Sequence, residues 1–389
     1  MPGGFIRTDL PVEVNGVPEN MPNSYVYNYS MEVQYQLPAR IVASLGYVGS
    51  TGRKLIRTVD LNRYTPGDLF GYQRDAFNGA SPVNRDRVQT RDRNGNFITP
   101  RLTGNPNFGA ILFPLPDVNS NYNAMILTIT RQYARGLQLE GTYRWSKSID
   151  TSSFGRGPQQ SDPSDQRLER GPSDFDVRHN LVVSGLWDIP LFRARKDFLG
   201  KALGGFQING IFTFHTGFPW TPQIGCCFPD RNDPNGDGRL PDRPTQYFGG
   251  VITNPSNQDF INGIFPIDTA HPRGGPDYFN AFNACQNFPA DCFTTIPGPA
   301  GIGRNSFRGP RFRQLDLSIV KQTGLPNFLH LGEAANLEIR ANFFNVLNLL
   351  NLPAFQPVTS RTDIFNGDFG RATFGLAGRV TEFQARFSF

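Results

Sequence analysis

The chain has no run of about 18 consecutive apolar residues, the length that a membrane-spanning helix needs. This absence excludes a helical membrane protein. The first residues, MPGGFIRTDLPVEV, contain no basic segment followed by an apolar one, so no signal peptide is visible. From these absences alone, the sequence predicts either a soluble cytoplasmic chain or a chain whose amino-terminal part is missing.

Sequence motifs of enzymes are absent too. The sequence has no GxSxG, no P-loop and no HExxH, and its 4 histidines are scattered. His179 begins a predicted strand and His215 lies on the polar side of another, where ordinary polar packing explains them better than metal binding. Without a nucleophile, base or cofactor motif, we expect no catalytic residues, no cofactor and no enzymatic activity.

Clustered positive charge is also missing. The net charge is +5 and the pI is near 9.1, but the arginines are spread along the chain and form no basic stripe. Nucleic-acid-binding proteins carry such a stripe or a recognisable module. We therefore predict no nucleic-acid partner.

Cysteine is scarce, with only Cys226, Cys227, Cys285 and Cys292. These residues have neither CxxC spacing nor a histidine at the spacing of a zinc site. A disulfide between Cys285 and Cys292 would fit an oxidising compartment, while the full pairing of the four cysteines stays open.

Phenylalanine, glycine and proline are abundant by contrast. The 389 residues include 34 Phe, 41 Gly and 32 Pro, although only 38% of them are hydrophobic and the mean hydropathy is −0.39. Such a mean is ordinary for a soluble protein. It is equally compatible with a membrane β-barrel, because barrel strands of about 9–11 residues need apolar side chains only at alternate positions.

Alternation is clearest in the last eleven residues, RVTEFQARFSF, at 379–389. Phe383, Ala385, Phe387 and Phe389 fall on one face of a strand, and the polar residues between them fall on the other. A terminal strand of this kind, with an aromatic last residue, resembles the closing strand of bacterial outer-membrane β-barrels.

Alternating segments recur along the chain. They predict strands at 24–37, 40–49, 122–133, 137–148, 177–187, 205–217, 313–321, 336–347 and 379–389. Short connections alternate with long polar ones, which lie at 50–120, 149–176, 218–310 and 348–378. In the first of these, residues 54–61 could alternatively extend the preceding strand. Outer-membrane barrels have this asymmetry, with short periplasmic turns and long outer loops.

The predicted fold is therefore all-β: the antiparallel wall of a transmembrane β-barrel, with the four long loops and residues 1–23 outside. Bacterial single-chain barrels have an even number of strands, whereas about nine strands are predicted here. We therefore expect the chain to be the carboxy-terminal part of a larger barrel, with the strands spread over residues 1–389.

Several of these segments together resemble Oar-like TonB-dependent transporters. They are SDFDVRHNLVVSGLWDIP at 173–190, the GFP turn at 217–219, GIGRNSFRGPRFRQLDLSIVK at 301–321, LEIRANFFNVLNLLN at 337–351 and the terminal strand. The resemblance implies a barrel of about 22 strands in the bacterial outer membrane. It also implies a preceding signal peptide, a carboxypeptidase-regulatory-like domain and a plug on which the TonB complex acts.

A candidate calcium loop lies in the longest predicted loop. Residues 233–238 read D-x-N-x-D-G, the opening of a loop in which alternate oxygens bind one cation. The bidentate glutamate of such loops is missing, because Pro244 stands at its position. Candidate ligands are Asp233, Asn235, Asp237 and Asp242, and the alternative is a solvated turn whose side chains bond the local backbone.

The expected function is that of a wall for ligand uptake, with outer-membrane lipid, the TonB complex and an extracellular ligand as partners. Polar-face charges such as Glu338 and Arg340 would contact a plug or ligand, or pair across neighbouring strands. Tyr25, Tyr27 and Trp145 would form a girdle at the membrane boundary. The alternative function is a secreted or surface β-sandwich adhesin that binds glycans, whose apolar faces would pack on a second sheet.

Overall fold

The structure is a computed structural model. It describes residues 12–61, 73–74, 90–91, 97–98, 108–153, 165–192, 200, 203–224, 243–244, 246–247, 255–264, 293–294, 301–324, 335–355, 361–364 and 368–388. Within these residues, no helix is long and apolar enough to cross a membrane.

Almost all regular structure in the described residues is β. The strands are β1 Val12–Asn15, β2 Tyr25–Leu37, β3 Ile41–Asp60, β4 Gln73–Arg74, β5 Thr90–Arg91, β6 Phe97–Ile98, β7 Phe108–Ala134, β8 Leu137–Asp150, β9 Gly171–Pro172, β10 His179–Asp188, β11 Phe206–His215, β12 Pro219–Trp220, β13 Gln246–Tyr247, β14 Phe293–Thr294, β15 Phe307–Arg308, β16 Phe312–Gly324, β17 Asn336–Phe344 and β18 Val380–Ser388. The described α-helix is α1, Asn257–Asn262.

One antiparallel sheet contains all the long strands, in the order β18, β17, β16, β11, β10, β8, β7, β3, β2. Each of the nine predicted strands overlaps one of them. The short strand β1 pairs in parallel with β7, and β9 pairs with β8. Because every neighbour along this order is antiparallel, the two edge strands β2 and β18 run in the same direction.

The register places most of the large apolar side chains of the long strands on one side of the sheet, which we call the apolar face. One row of directly paired residues crosses six strands through Val33, Leu45, Leu127, Tyr143, Leu181 and Phe214. The adjacent row lies on the opposite, polar face and contains Gln34, Ser44, Thr128, Thr142, Val182 and Thr213. Side chains alternate with a period of two, so a slip of one residue would exchange the two faces.

Large side chains on the apolar face are open to the surroundings. Met31 and Tyr35 on β2 are each 69% exposed, and Phe383 on β18 is 77% exposed. An exposed apolar surface that extends across a whole sheet is rare on soluble monomers and marks contact with a partner or a membrane.

The connections divide the sheet into a turn end and a loop end. At the turn end, Pro38–Arg40 join β2 to β3, and Arg135 with Gly136 join β7 to β8. Gly136 has a φ of 79°, and a Cβ there would lie 2.9 Å from the Asp188 carbonyl oxygen. Only glycine satisfies both conditions, so this turn can stay short.

Two predicted boundaries at the loop end are wrong. Residues 50–120 were predicted as loop, but β3 continues to Asp60 and β7 begins at Phe108. Within this extension Arg57 is 1% exposed and donates two hydrogen bonds of 2.6 Å to the Asp117 carboxylate. The extension of β3 follows the alternative in which residues 54–61 continue the strand, whereas the start of β7 at Phe108 was not expected.

Short elements also occur in other segments that were predicted as irregular. β1 lies in 1–23, β9 in 149–176, and β12, β15 and α1 in 218–310. The helix begins with a capping box, in which Ser256 and Asp259 accept each other's backbone N–H groups at 3.2 and 2.7 Å. The predicted strand 336–347 ends earlier, at Phe344, because Asn345 has a φ of 50°.

Candidate functional site

Side chains on the polar face bond to one another near the turn end. Glu338 accepts a hydrogen bond of 2.9 Å from Arg340 along β17 and one of 3.0 Å from Gln322 on β16. Ser318 donates to Asn342 across the same two strands at 2.7 Å. The ion pair of Glu338 and Arg340 therefore runs along one strand and not across two as predicted, because residues two apart share a face.

A depression of about 320 Å³ lies on the polar face between β2, β3 and β7. Its lining includes Glu32, Gln34, Ser44, Thr128 and Thr130. Gln34 donates to the Glu32 carboxylate at 2.8 Å, so the charge on this wall is already solvated by a neighbouring amide. Such a wall suits contact with a polar ligand or another polar protein surface.

Arg304 is the centre of a buried ion-pair network at the loop end. Its side chain is 9% exposed and pairs with the carboxylate of Asp150 and, at 3.4 Å, with that of Asp174. It also donates to the carbonyl oxygens of Glu169 at 2.9 Å and Asp150 at 2.8 Å. One guanidinium thus joins the end of β8 to the segments 165–176 and 301–311.

Two further residues of the segment 301–311 extend this network. Asn305 donates to the Asp174 carboxylate at 2.5 Å and to the Pro172 carbonyl at 2.8 Å. Arg308 pairs with Asp176 at 2.5 Å, and Asp176 also accepts the Ser148 N–H at 2.6 Å. Asp176 is 2% exposed, and a buried carboxylate is stable only with such partners.

The position of Asp174 in the network disfavours its charged form. Burial raises the pKa of its carboxyl above the usual value, while the hydrogen bond from Asn305 and the charge of Arg304 oppose the rise without cancelling it. Burial disfavours the charged form of an acid because water no longer solvates it. The fold therefore disfavours ionisation of Asp174.

An apolar core lies beside the network. Trp220 is 2% exposed, and its ring centroid lies 5.3 Å from that of Phe355 and 5.8 Å from that of Phe369. The ring centroid of Phe260 in α1 lies 5.5 Å from that of Phe355. The remaining buried members are Ile224, Ile302, Leu352, Ile364 and Ala372. We call the network and this core together the cap.

Buried asparagines connect the cap to the sheet. Asn351 is 2% exposed, donates to the Arg313 carbonyl and accepts the Arg313 N–H, both at 2.9 Å. Asn257 of α1 makes the same pair of bonds to Arg311, at 2.8 and 3.1 Å. These amides bond the backbone of residues 311 and 313, at the start of β16, where β17 does not pair with it.

The segments that resemble Oar-like transporters meet in the cap. Asp174 and Asp176 come from SDFDVRHN, and their partners Arg304, Asn305 and Arg308 come from GIGRNSFRGP. Asn351 ends LEIRANFFNVLNLLN. The GFP turn approaches the same place, since a Cβ at Gly217 would lie 1.8 Å from the Gly309 carbonyl oxygen. The described polar residues of these motifs therefore hold the loops together.

The predicted calcium ligands Asp233, Asn235, Asp237 and Asp242 lie outside the described residues, as do Cys285 and Cys292. The described part of the chain has no group of three or more His, Cys, Asp or Glu side chains that could hold a metal ion. His179 instead shares a hydrogen bond of 2.7 Å with the Tyr143 hydroxyl. The ring of His215 stacks on that of Phe312, with the two centroids 5.2 Å apart.

Sequence reasoning missed Asp150, Glu169 and Arg243. Glu169 and Arg243 form an ion pair of 3.0 Å with side chains 0% and 2% exposed. They lie 74 residues apart, in loops that contain many similar charges. No local pattern distinguishes a buried loop charge from a solvated one, so only the fold identifies this pair.

Comparison with known proteins identifies the family of the chain. The sequence profile described as outer membrane beta barrel domain matches residues 2–386. No curated protein matches the chain. The outer membrane transporter YddB from Escherichia coli is a similar solved structure, with a TM-score of 0.45, 10% identity and coverage of 96% of this chain and 34% of that one.

Two receptors from Pseudomonas aeruginosa are also similar. The pyoverdine outer membrane receptor FpvA of strain PAO1 has a TM-score of 0.38, 11% identity and coverage of 94% of this chain and 30% of its own. The ferric enterobactin receptor PfeA has a TM-score of 0.38, 11% identity and coverage of 93% and 30%. The chain thus spans about a third of the length of these structures.

The family is one of outer-membrane barrels, which confirms the expected fold class and localisation. Since the profile covers nearly the whole chain and the register separates an apolar from a polar face, the chain belongs to the outer membrane beta barrel domain family and forms barrel wall in the bacterial outer membrane.

Proposed function

We propose that this chain is part of the wall of a TonB-dependent transporter or receptor that takes up an extracellular ligand. The observation that carries the proposal is the cap, whose buried ion pairs and apolar core lie at the loop end of a membrane sheet. A passive pore needs only the wall. A receptor also needs outer loops fixed in position, because binding groups act best on a rigid scaffold.

The two faces of the sheet then have different partners. The apolar face contacts outer-membrane lipid, and the polar face borders the interior in which a plug would sit. Energy would come from the TonB complex acting on that plug, as the Oar-like resemblance implies. Because the chain spans 34% of the transporter YddB, uptake is proposed for the whole protein that contains this wall.

The alternative function, a β-sandwich adhesin, has less support. A sandwich buries the apolar face of one sheet against a second sheet. In the described residues, however, Met31, Tyr35 and Phe383 on that face are 69%, 69% and 77% exposed. This exposure favours contact with lipid.

The test is whole-cell uptake in the source bacterium, with and without the gene. A panel of ferric siderophores, oligosaccharides and peptides is offered, and depletion of each compound from the medium is measured by mass spectrometry. We expect at least one compound to be taken up only by cells with the gene, and its uptake to stop when a protonophore removes the proton gradient.

The controls separate the competing functions. Uptake that depends on the gene but persists with the protonophore would indicate a passive channel. Binding of cells to glycans without uptake would indicate an adhesin. Either result would contradict a TonB-dependent transporter.

A further inference from the structure

Two arginines are neighbours on the polar face, near the loop end of the sheet. Arg144 on β8 lies two residues beyond Thr142, so it shares the polar face, and it lies directly opposite Asn180 on β10. The Ser146 N–H donates to the Arg178 carbonyl at 3.0 Å, which continues this register and places Arg178 opposite Ser146. Arg144 and Arg178 are therefore diagonal neighbours, a separation of about 7–8 Å that long side chains can bridge.

The side chains of this pair have no partners. In the part of the chain that the structure describes, neither guanidinium makes a hydrogen bond or an ion pair. The Nε of Arg144 is buried without an acceptor, which is rare in folded proteins. The side-chain amide of Asn180, which lies beside both arginines, has no hydrogen bond among the described residues either. Three side chains that can donate thus share one small area of the polar face.

The nearest acid on β10's side of the pair is already occupied. Asp176 comes two residues before Arg178, and its carboxylate pairs with Arg308 at 2.5 Å. It also accepts the Ser148 N–H at 2.6 Å. Asp176 therefore belongs to the cap and does not neutralise Arg178.

Two other acids of the polar face lie too far away. Glu140 is four residues from Arg144 along β8, which is about 13 Å at the rise of a strand. Glu32 lies in the same row as Arg144, but β3 and β7 separate the two residues. Its carboxylate already accepts a hydrogen bond of 2.8 Å from Gln34. The positive charge at Arg144 and Arg178 is thus not balanced within the described residues.

An anion would resolve both features of this pair. Like charges on neighbouring strands destabilise a sheet, and a bound anion would offset their repulsion. The guanidinium group has a planar arrangement of donors that matches the oxygens of a carboxylate or a phosphate. Two such groups side by side suit a ligand that carries more than one oxyanion.

We propose that Arg144, Arg178 and Asn180 form a subsite for an acidic ligand with two or more carboxylate or phosphate groups. The proposal rests on the proposed uptake function and names the chemical class of the compound taken up. The subsite lies on the polar face next to the cap, where a ligand would pass from the outer loops to the barrel interior. Asn180 would donate its amide N–H to the same anion.

The test measures binding to the full protein, purified in detergent, by isothermal titration calorimetry. The probes are trigalacturonate, which carries carboxylates, tripolyphosphate, and maltotriose as a neutral trisaccharide. We expect at least one of the two anions to bind the wild type about tenfold more tightly than maltotriose does, the difference that one charge-assisted contact makes. Its affinity should fall as salt is added. The stronger of the two anions identifies the acidic group that the subsite prefers.

Variants locate the binding at the two arginines. Arg144→Gln and Arg178→Gln should each weaken anion binding by about tenfold. Arg144→Lys keeps the charge but loses the planar donor group, so its affinity should lie between those of the wild type and Arg144→Gln. The control is Arg131→Gln, because the Nε of Arg131 is also buried without an acceptor, but Arg131 lies opposite Leu139 on the apolar face. It should bind as the wild type does.

Two results would overturn the subsite. One is equal anion binding by the wild type, Arg144→Gln and Arg178→Gln, with unchanged β-sheet circular dichroism. The other is no binding of either anion by the wild type, which is expected if acidic side chains of a plug occupy both arginines.

Failure of the subsite is distinguishable from failure of the proposed transport. Anion binding that depends on both arginines, without uptake of any compound, would support the subsite and contradict the transporter. Uptake that depends on the gene but is unchanged in Arg144→Gln and Arg178→Gln would contradict the subsite alone.

Discussion

Arg304 shows how much one side chain contributes at the loop end. Its hydrogen bonds reach groups between 130 and 154 positions away in the sequence. Exposed ion pairs contribute about 0–1 kcal/mol, because water solvates the charges equally well. The side chains of Arg304 and Asp150 are 9% and 4% exposed, so removing one partner leaves a buried charge without compensation.

Arg304→Ala should therefore destabilise the cap by about 3–5 kcal/mol, the cost of breaking a buried pair. The measurement is hydrogen exchange of residues 148–153 and 165–176 in the protein reconstituted into lipid. Lys147→Ala, which removes an exposed charge from the same strand, should change exchange by less than about 0.5 kcal/mol. Unchanged protection in Arg304→Ala would contradict the role of this residue.

Asp174→Asn tests the cost of the buried carboxylate. The pKa of Asp174 is raised in the folded state above its usual value of 3.8, so the folded state binds the proton more tightly than the unfolded one. The contribution of this group to stability therefore rises as the pH falls through the folded pKa towards 3.8 and is lost as the pH rises. At neutral pH, Asn keeps an oxygen that can accept from Asn305, and we expect a smaller loss than for Arg304→Ala.

The measurement is urea unfolding of the cap at neutral pH and near pH 4, for the wild type and Asp174→Asn. The wild type should gain stability relative to the variant as the pH falls. Because both proteins contain all the other carboxylates, the difference between their unfolding free energies reports on Asp174 alone. If the wild type instead lost stability relative to the variant as the pH falls, the pKa of Asp174 would be lowered and not raised.

At the scale of elements, the long strands have the pattern of membrane strands because their two faces differ in polarity. Leu127 and Thr128 are neighbours in β7, yet Leu127 lies between Leu45 and Tyr143, and Thr128 lies between Ser44 and Thr142. The Thr128 and Thr142 hydroxyls are 3.3 Å apart. One strand thus presents an apolar and a hydrogen-bonding surface at the same depth.

Leu127→Arg should reduce stability by about 2–4 kcal/mol, because it places a charge against hydrocarbon. Thr128→Arg is the matched control at the same depth and should be tolerated, since its side chain points to the polar face. Urea unfolding in bilayers and the assembled fraction in outer membranes would measure the difference. Equal effects of the two substitutions would refute the assignment of the faces.

At the scale of the molecule, the cap and the sheet have separate sources of stability. The sheet is held by its ladder of strand pairs, whereas the cap has its own core of residues from five distant stretches of the chain, around Trp220. Locally packed units of this kind often open independently of the rest of a protein.

Trp220→Ala should cost about 3–5 kcal/mol through the cavity it leaves and open the cap while the sheet stays folded. Hydrogen exchange should increase in 301–311 and 351–355 and stay slow in β3 and β7. Trp187→Ala is the control, because Trp187 is of equal size but 45% exposed on the sheet. Simultaneous loss of protection in cap and sheet would mean that the two are one cooperative unit.

The sequence by itself determined the strands and their faces. The alternation in Tyr25–Leu37 and in Val380–Ser388 is local and has a period of two, and the same alternation fixes which side chains meet lipid. The terminal strand and the short turns followed from the same rule. The early start of β7 at Phe108 escaped it, since backbone pairing outside a membrane needs no apolar face.

Only the tertiary structure decided how the loops pack. Asp174 and Arg304 lie 130 residues apart. Each occurs in a polar segment with other charged residues, from which no sequence pattern distinguishes it. Their pairing depends on where β8, β10, β11 and β16 end, because the strand ends bring these segments together at one rim.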